Sequence, residues 1–183
     1  MVQRAKVRFL ASDIWDAPDN GKIYEVIDGA LYVSPAPSWF HQRVGAALVG
    51  LIWPFVRRHN LGYVVPAPTG VVLDDEKGVE PDLVFVSREP ESIITARGVE
   101  GAPDLLVEVL SPGTAGRDRG IKMRRYAASG VAHYWLIDPL ARTLEAYRLG
   151  EDGYALDGTF GEGDVFRPEV SPGLDIPLDE LWG

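Results

Sequence analysis

The segment that decides the fold spans residues 104–139; it opens with Asp104-Leu-Leu-Val-Glu-Val-Leu-Ser-Pro-Gly113 and closes with His133-Tyr-Trp-Leu-Ile-Asp-Pro139. Residues 105–110 form an almost unbroken apolar run, which is typical of a β-strand covered on both faces. Residues 115–129 predict a helix, and the second apolar run predicts another strand that stops before the closing proline. A strand, a helix and a strand in this order predict a βαβ unit with a parallel strand pair.

Glu108 interrupts the first apolar run. A carboxylate in a buried strand is costly unless a cation or a hydrogen-bond donor meets it. In the predicted helix that follows, Asp118, Lys122 and Tyr126 succeed one another at i, i+4 spacing and therefore share a face. The βαβ unit brings Glu108 and Lys122 to the same end of a sheet, which predicts a functional site there.

The rest of the chain predicts strands and one long helix around this unit. Residues 24–33 predict a β-hairpin with Asp28-Gly29 at its turn. Ser38 is the expected N-cap of a helix that runs to about residue 60, and Pro54 should kink this helix or split off its last turn. Further strands are predicted at residues 63–65, 71–74, 83–86 and 143–149. The predicted fold is a single α/β domain over residues 1–183, with a central mixed β-sheet flanked by helices and an N-terminal β-hairpin extension.

Composition narrows the class of protein. The chain has 183 residues, no cysteine and a formal net charge of −9, so disulfides and thiolate metal sites are excluded. The longest apolar stretch, residues 44–56, is too short to span a bilayer and contains Pro54. The N-terminus lacks the basic and apolar regions of a secretory signal, so a cytoplasmic location without membrane contact is expected.

The charge is unevenly distributed. Basic residues crowd the central helix at Arg117, Arg119, Lys122, Arg124 and Arg125. The acidic total weighs against a protein that coats nucleic acid non-specifically, since neutralising phosphates needs a basic surface. Taken alone, the basic cluster is best interpreted as a solvated helix face.

Several common catalytic motifs are absent from the sequence. No G-x-x-x-x-G-K-[ST], G-x-G-x-x-G, G-x-S-x-G or His-Glu-x-x-His occurs, which argues against a P-loop, a dinucleotide site and a zinc hydrolase. The three histidines are scattered at positions 41, 59 and 133. A Ser-His-Asp hydrolase stays open, but nothing indicates one.

One candidate group remains. It consists of the carboxylates Asp82 and Glu108 on neighbouring predicted strands, together with Lys122 on the following helix. Mg²⁺ prefers oxygen ligands and usually takes one or two protein carboxylates, which leaves positions for water and phosphate. A nearby lysine can orient or help to deprotonate a water, or stabilise negative charge in the transition state. Two acids and a lysine therefore suit the hydrolysis of a phosphodiester.

These residues resemble the PD-(D/E)XK restriction-endonuclease-like superfamily, and more narrowly its Uma-two-type branch of restriction endonucleases. Pro81-Asp82, Glu108 in a Val-Glu-Val-Leu-Ser-Pro setting, and Asp118-x-x-x-Lys122 carry the resemblance. It covers nearly the whole chain through further matches in order: Tyr24-Glu25-Val-Ile-Asp28-Gly29, Pro35-Ala-Pro37, His41-Gln42, Gly101-Ala-Pro-Asp104, Tyr126 with Gly130-Val131, Tyr134-Trp135-Leu-Ile-Asp138-Pro139 and Pro172-Gly173-Leu174.

The resemblance implies roles for individual residues. Asp82 and Glu108 would be metal ligands, and the Val109 carbonyl would be a further ligand. The superfamily's lysine normally lies two residues after the second acid, where this chain has Leu110, so Lys122 would supply the ammonium from the helix. Catalytic support would come from two further acids, Glu25 and Asp118, with Glu25 near a second metal or its water.

Each residue also has an alternative interpretation without catalysis. Glu108 would then pair with Lys122 or Arg125 as a buried ion pair, Asp118 and Lys122 would form a surface i, i+4 pair, and Glu25 would form a cross-strand salt bridge. Asp82 would be a turn residue at the start of a strand. His41 is expected to be a satisfied core or edge histidine, and Tyr126 and Trp135 are expected to be core aromatics.

The leading functional hypothesis is a Mg²⁺-dependent endodeoxyribonuclease, with Mn²⁺ as a possible substitute, that acts on DNA as a homodimer. In it the arginines of the central helix meet the flanking phosphates. A second hypothesis is a catalytically inactive binding or assembly module that retains the restriction-endonuclease fold. Hydrolysis of a small phosphoester is a third.

Overall fold

The computed structural model of the protein describes residues 7–89 and 91–183. Its helices are a 3-10 helix at Ala11–Asp16, α1 (Trp39–Arg58), a short 3-10 turn at Glu91–Ile93, α2 (Ala115–Arg117), a π-helical turn at Asp118–Lys122, α3 (Met123–Ala128) and α4 (Asp179–Trp182). Its strands are β1 (Ile23–Ile27), β2 (Ala30–Ser34), β3 (Gly62–Pro66), β4 (Val71–Asp74), β5 (Lys77–Val79), β6 (Leu83–Ser87), β7 (Val99–Glu100), β8 (Leu105–Val109), β9 (His133–Asp138), β10 (Thr143–Gly150), β11 (Gly153–Phe160), β12 (Val165–Phe166) and β13 (Ile176–Pro177).

The strands form two principal mixed sheets. A six-stranded sheet has the order β11-β10-β9-β8-β6-β3, and a five-stranded sheet has the order β2-β1-β5-β4-β7. β12 and β13 form a small separate ribbon. The predicted mixed α/β architecture is confirmed, although the N-terminal hairpin joins the second sheet through β1 and β5.

The predicted βαβ unit is present. β8 and β9 pair in parallel, with Glu108 opposite Leu136, and the helical segment of residues 115–128 connects them. β8 is buried along its whole length, as its apolar run predicts. Glu108 therefore lies in a fully covered strand, where its carboxylate requires a partner.

The hairpin of β1 and β2 is also as predicted, with Glu25 opposite Tyr32. Its turn residues Asp28 and Gly29 have φ values of 55° and 70°. Positive φ at both central positions is the geometry that an Asp-Gly turn favours between twisted antiparallel strands. This turn fixes the register that points the Glu25 side chain into the protein.

Two apolar clusters cover the two faces of the six-stranded sheet. One face of β8 presents Val107 to a cluster that includes Leu48 of α1 and Trp182 of α4. The other face presents Leu106 to a cluster that includes Tyr126 of α3. Side chains alternate between faces along a strand, so Glu108 lies on the Tyr126 side.

Helix α1 continues through Pro54 to Arg58, so its last turn is not split off. Four residues at helical spacing, Val44, Leu48, Ile52 and Val56, are buried along one side of it. Their packing against the sheet compensates for the hydrogen bond that proline cannot donate.

The helix predicted at residues 115–129 differs from expectation in its middle. Between α2 and α3 the segment Asp118–Lys122 is π-helical. Single π-turns inside helices widen the backbone locally and occur often at functional sites. Both residues at the ends of this turn are buried, so the irregularity lies where the site was predicted.

Within the described residues, no helix is long and apolar enough to cross a membrane.

Candidate active site

The two predicted metal-binding acids lie side by side on neighbouring strands. Antiparallel pairing places Leu83 opposite Val107, and one further step of the same register places Asp82 opposite Glu108. The Asp82 N–H donates to the Val107 carbonyl at 3.1 Å, and the Val109 N–H donates to Asp82 Oδ2 at 2.7 Å. The end of β8 therefore fixes both the backbone and the side chain of Asp82.

Lys122 is the centre of a buried cluster of carboxylates. Its Nζ lies 2.7 Å from Glu25 Oε1, 2.9 Å from Glu108 Oε1 and 3.5 Å from Asp118 Oδ1. All four residues are at most 4% exposed. The Asp118–Lys122 pair is thus not the surface pair of the alternative interpretation, and one ammonium faces three carboxylates.

Two core tyrosines hold this cluster. Tyr126 donates its hydroxyl hydrogen to Glu108 Oε1 at 2.7 Å, and Tyr134 donates to the Asp118 carbonyl at 3.1 Å. Tyr126 and Trp135 are buried, as expected of core aromatics. Tyr126 nevertheless has a polar task, since it satisfies a carboxylate that would otherwise be costly to bury.

Burial sets the protonation of the cluster. Desolvation raises the pKa of Glu108 well above its usual value, despite the opposing effect of Lys122. Desolvation alone would lower the pKa of Lys122, but Glu108, Glu25 and Asp118 outweigh it and hold that pKa well above the usual value. The pKa values of Glu108 and Lys122 can both be raised because a single ammonium cannot neutralise three carboxylates. Its carboxylate neighbours therefore favour the charged form of Lys122, whereas burial favours the neutral form of Glu108.

His41 is a site residue that sequence reasoning missed. Its Nε2 lies 3.2 Å from Asp82 Oδ2, whereas its Nδ1 is buried and has no hydrogen-bond partner in the described part of the chain. Burial opposes charging of His41, but the hydrogen bond and charge of Asp82 raise its pKa overall. The expectation of a satisfied core or edge histidine therefore holds for Nε2 and not for Nδ1. His41 follows the Ser38 cap by three residues and lies on the buried side of α1, and this position could have indicated that its ring faces the site.

Three arginines of the central helix form ion pairs, and one of these, Arg117, also lines the cavity described below. Arg119 pairs with Glu145 at 2.6 Å and Arg125 with Asp28 at 2.6 Å, so their charges are already matched. Arg117 instead donates to Ser34 Oγ at 2.8 Å and lies 3.3 Å from a Glu25 oxygen. Arg117 is thus the arginine of this cluster that lines the cavity.

A cavity of about 390 Å³ adjoins this cluster, and Glu108 is not among the residues that line it. Its charged lining consists of Lys122, Arg117, His41, Glu25, Glu80, Asp82 and Asp118. Burial and the neighbouring Glu25 charge raise the pKa of Glu80, as expected where carboxylates outnumber cations. The cavity is thus an acidic one that favours an additional cation.

The donor atoms suit a hard divalent cation. Within residues 7–89 and 91–183, no three His, Cys, Asp or Glu side chains are gathered as a ready-made metal centre. Mg²⁺ does not require one, because it binds through one or two carboxylates and keeps several waters. Asp82 and Glu108 are adjacent, Val109 lines the cavity, and Asp118 Oδ1 is buried without a hydrogen-bond partner among the described residues. An oxygen donor set with excess negative charge therefore fits Mg²⁺ or Mn²⁺ chemically.

Comparison with known proteins agrees with the fold. The crystal structure of a protein described as "a putative nuclease belonging to DUF820" from Anabaena variabilis superposes with a TM-score of 0.78 at 18% sequence identity. The match covers 95% of this chain and 97% of that one. No curated protein sequence matches the chain at a significant level.

A family model matches the sequence itself. The Uma2 family, described as "Putative restriction endonuclease", matches residues 11–179. This range includes Asp82, Glu108 and the whole Lys122 cluster. The chain therefore belongs to the Uma2 family of restriction-endonuclease-like proteins.

Proposed function

We propose that the protein is a metal-dependent nuclease that hydrolyses phosphodiester bonds in DNA. The observation that carries this proposal is the Asp82–Glu108 pair beside the buried Lys122 ammonium, at an acidic cavity on a nuclease-like fold. Asp82, Glu108 and the Val109 carbonyl would hold Mg²⁺ or Mn²⁺. When bound, the cation would polarise the phosphodiester and favour deprotonation of a water nucleophile.

Lys122 acts by charge and not as a general base. Three carboxylates hold its pKa well above the usual value, so it has no free electron pair with which to accept a proton near neutral pH. Its ammonium stabilises the negative charge that develops on the phosphate in the transition state. Glu25 and Asp118 keep the ammonium in place, and Arg117, which contacts the same Glu25 carboxylate, would meet a phosphate oxygen.

The direct test is plasmid nicking with Mg²⁺ and then Mn²⁺. We expect the wild type to nick supercoiled DNA and Asp82→Asn to lose this activity by about 10²–10³-fold, as removal of one transition-state interaction commonly does. Asp75→Asn removes an exposed carboxylate outside the cavity and is the matched control. Equal nicking by the wild type and Asp82→Asn would refute this site. A chromogenic phosphodiester in the same assay distinguishes a small-ester hydrolase from a nuclease.

One observation favours a second candidate, the inactive binding or assembly module. Lys122 and Tyr126 both approach the same Glu108 oxygen, Oε1, as they would in a purely structural ion pair. Calorimetric titration of the wild type with Mg²⁺ and Mn²⁺ separates the candidates. Heat of binding that disappears in Asp82→Asn supports the nuclease, and no binding at millimolar metal supports the module.

His41 provides a further prediction on the same site. Residues that form a hydrogen bond to a metal ligand typically contribute 10–100-fold to the affinity for the metal. We expect His41→Ala to weaken Mn²⁺ binding by about tenfold, because Asp82 Oδ2 loses one of its two donors and keeps only the Val109 N–H. His41→Gln retains a donor amide and should recover part of this loss. Equal Mn²⁺ affinity of His41→Ala and the wild type, measured by calorimetry, would contradict the assignment.

A further inference from the structure

A second cavity lies on the other side of the His41–Asp82 pair. Its volume is about 350 Å³. It shares His41 and Asp82 with the acidic cavity, so the candidate metal ligand Asp82 borders both spaces. The remaining lining, which we name the α1 groove, consists of Gln42, Gly45, Ala46, Val49, Pro66 and Ala67.

The α1 groove differs chemically from the acidic cavity. Beyond the shared His41 and Asp82, its lining among the described residues carries no charge and only one polar side chain, the amide of Gln42. A phosphate would find no lysine or arginine there, whereas a neutral, flat group would find small apolar side chains and one amide for hydrogen bonding. In a nucleic acid the groups of this kind are the bases.

We propose that the α1 groove binds one unpaired nucleobase next to the phosphate that is cleaved. The inference rests on the proposed function, since it requires the scissile phosphate to lie at Asp82. A strand that crosses the His41–Asp82 pair would place its phosphate in the acidic cavity, near Arg117, and the adjoining base in the groove. A base can enter such a groove only when it is unpaired or flipped out of its duplex. The substrate is then DNA with unpaired bases at the cleavage position.

The same side of α1 continues beyond the groove to exposed aromatics. Trp39, Gln42, Ala46, Val49 and Trp53 follow the three- and four-residue spacing of one helix face. Trp39 is 68% exposed and Trp53 is 44% exposed. Stacking on aromatic rings contributes to single-strand binding independently of sequence, which suits a chain whose net charge of −9 limits phosphate binding.

The helix offers a matched pair of variants for the test. Gly45 lines the groove and Gly50 does not, and a Cβ added at either position meets no atom within 4 Å. Gly45→Leu therefore adds a side chain whose Cβ enters open space in the groove, and Gly50→Leu adds the same side chain elsewhere on α1. Both changes improve helix propensity, so both variants should be at least as thermally stable as the wild type.

Binding is measured by fluorescence anisotropy of a fluorescein-labelled single-stranded oligodeoxynucleotide and of its blunt duplex. Ca²⁺, which accepts oxygen ligands in looser geometry, replaces Mg²⁺ in this measurement. We expect Gly45→Leu to bind the single strand about tenfold more weakly than the wild type. Gly50→Leu should bind like the wild type, and the wild type should prefer the single strand to the duplex.

Two outcomes would overturn the proposal. One is equal single-strand affinity of Gly45→Leu and Gly50→Leu, and the other is tighter binding of the duplex by the wild type. Mn²⁺ affinity, measured by calorimetry, should be the same in both glycine variants and the wild type. The proposed function instead fails if the wild type binds no metal and cuts no DNA, so the two failures are distinguishable.

Discussion

Glu108→Gln is expected to reduce metal-dependent DNA cleavage on the order of 10³-fold while the protein stays folded. Glutamine has nearly the size of glutamate and can still accept hydrogen bonds from Tyr126 and Lys122, which approach Glu108 Oε1 at 2.7 and 2.9 Å. It cannot supply the negative charge that a divalent cation requires next to Asp82. The measurement is the rate of plasmid nicking with Mg²⁺, accompanied by circular dichroism.

The matched control is Glu151→Gln, which changes an exposed glutamate outside the acidic cavity and should cleave like the wild type. Stability should change little in Glu108→Gln, because burial already raises the pKa of this carboxyl and favours its neutral form. Persistent cleavage by a correctly folded Glu108→Gln protein would mean that Glu108 is only a structural partner of Lys122. Such a result would mean that the active site lies elsewhere in the same fold.

Lys122→Met is expected to lower the free energy of unfolding by about 3–5 kcal/mol near neutral pH. The ammonium meets Glu25, Glu108 and Asp118, and its removal leaves their buried carboxylates without a cation. Methionine occupies a volume similar to that of lysine, so the loss of stability comes from the missing charge and not from a cavity. Urea denaturation gives the measurement. Lys77→Met is the control, since it breaks a partly exposed pair with Asp74 and should cost no more than about 1 kcal/mol.

The loss in Lys122→Met should shrink as the pH is lowered. Burial raises the pKa of Glu108 and Asp118 in the folded protein, and removal of the ammonium raises both further. A carboxyl with a raised pKa in the folded state stabilises the fold below its unfolded pKa, and this contribution is lost as the pH rises through the folded pKa. The variant should therefore approach wild-type stability in mild acid. A difference that is independent of pH would contradict this account of the cluster.

Local patterns were sufficient to predict the elements that frame the site. The apolar run around Glu108, the Asp28-Gly29 turn and the i, i+4 spacing of Asp118 and Lys122 each act over a few residues, and the structure contains the strand, the hairpin and the shared helix face. The adjacency of Asp82 and Glu108 followed from their placement on two apolar strands. A resemblance over nearly the whole chain gave the family.

The remaining features depend on contacts between distant segments. Glu25 meets Lys122 only because β1 joins β5 in the second sheet, and no local pattern determines that pairing. His41 reaches Asp82 because α1 packs against β8 and β3, tertiary contacts that the periodicity of the sequence does not predict. The ion pairs of Arg119 and Arg125 likewise depend on partners that are distant in sequence, so the charges of these two arginines are matched in the structure although their part of the sequence is basic.

The cluster around Lys122 is assembled from distant segments of the chain, and this has a consequence for biosynthesis. Glu25 comes from the N-terminal hairpin, Glu108 from the middle of the central sheet, and Lys122 from the helical segment that follows it. A ribosome-bound chain that has emerged only as far as β8 has no ammonium to gather these acids, and a chain that has lost the hairpin has lost one of them. The buried charge cluster is therefore complete only in the finished tertiary structure, and under the proposed nuclease function an unfinished copy would lack part of its active site.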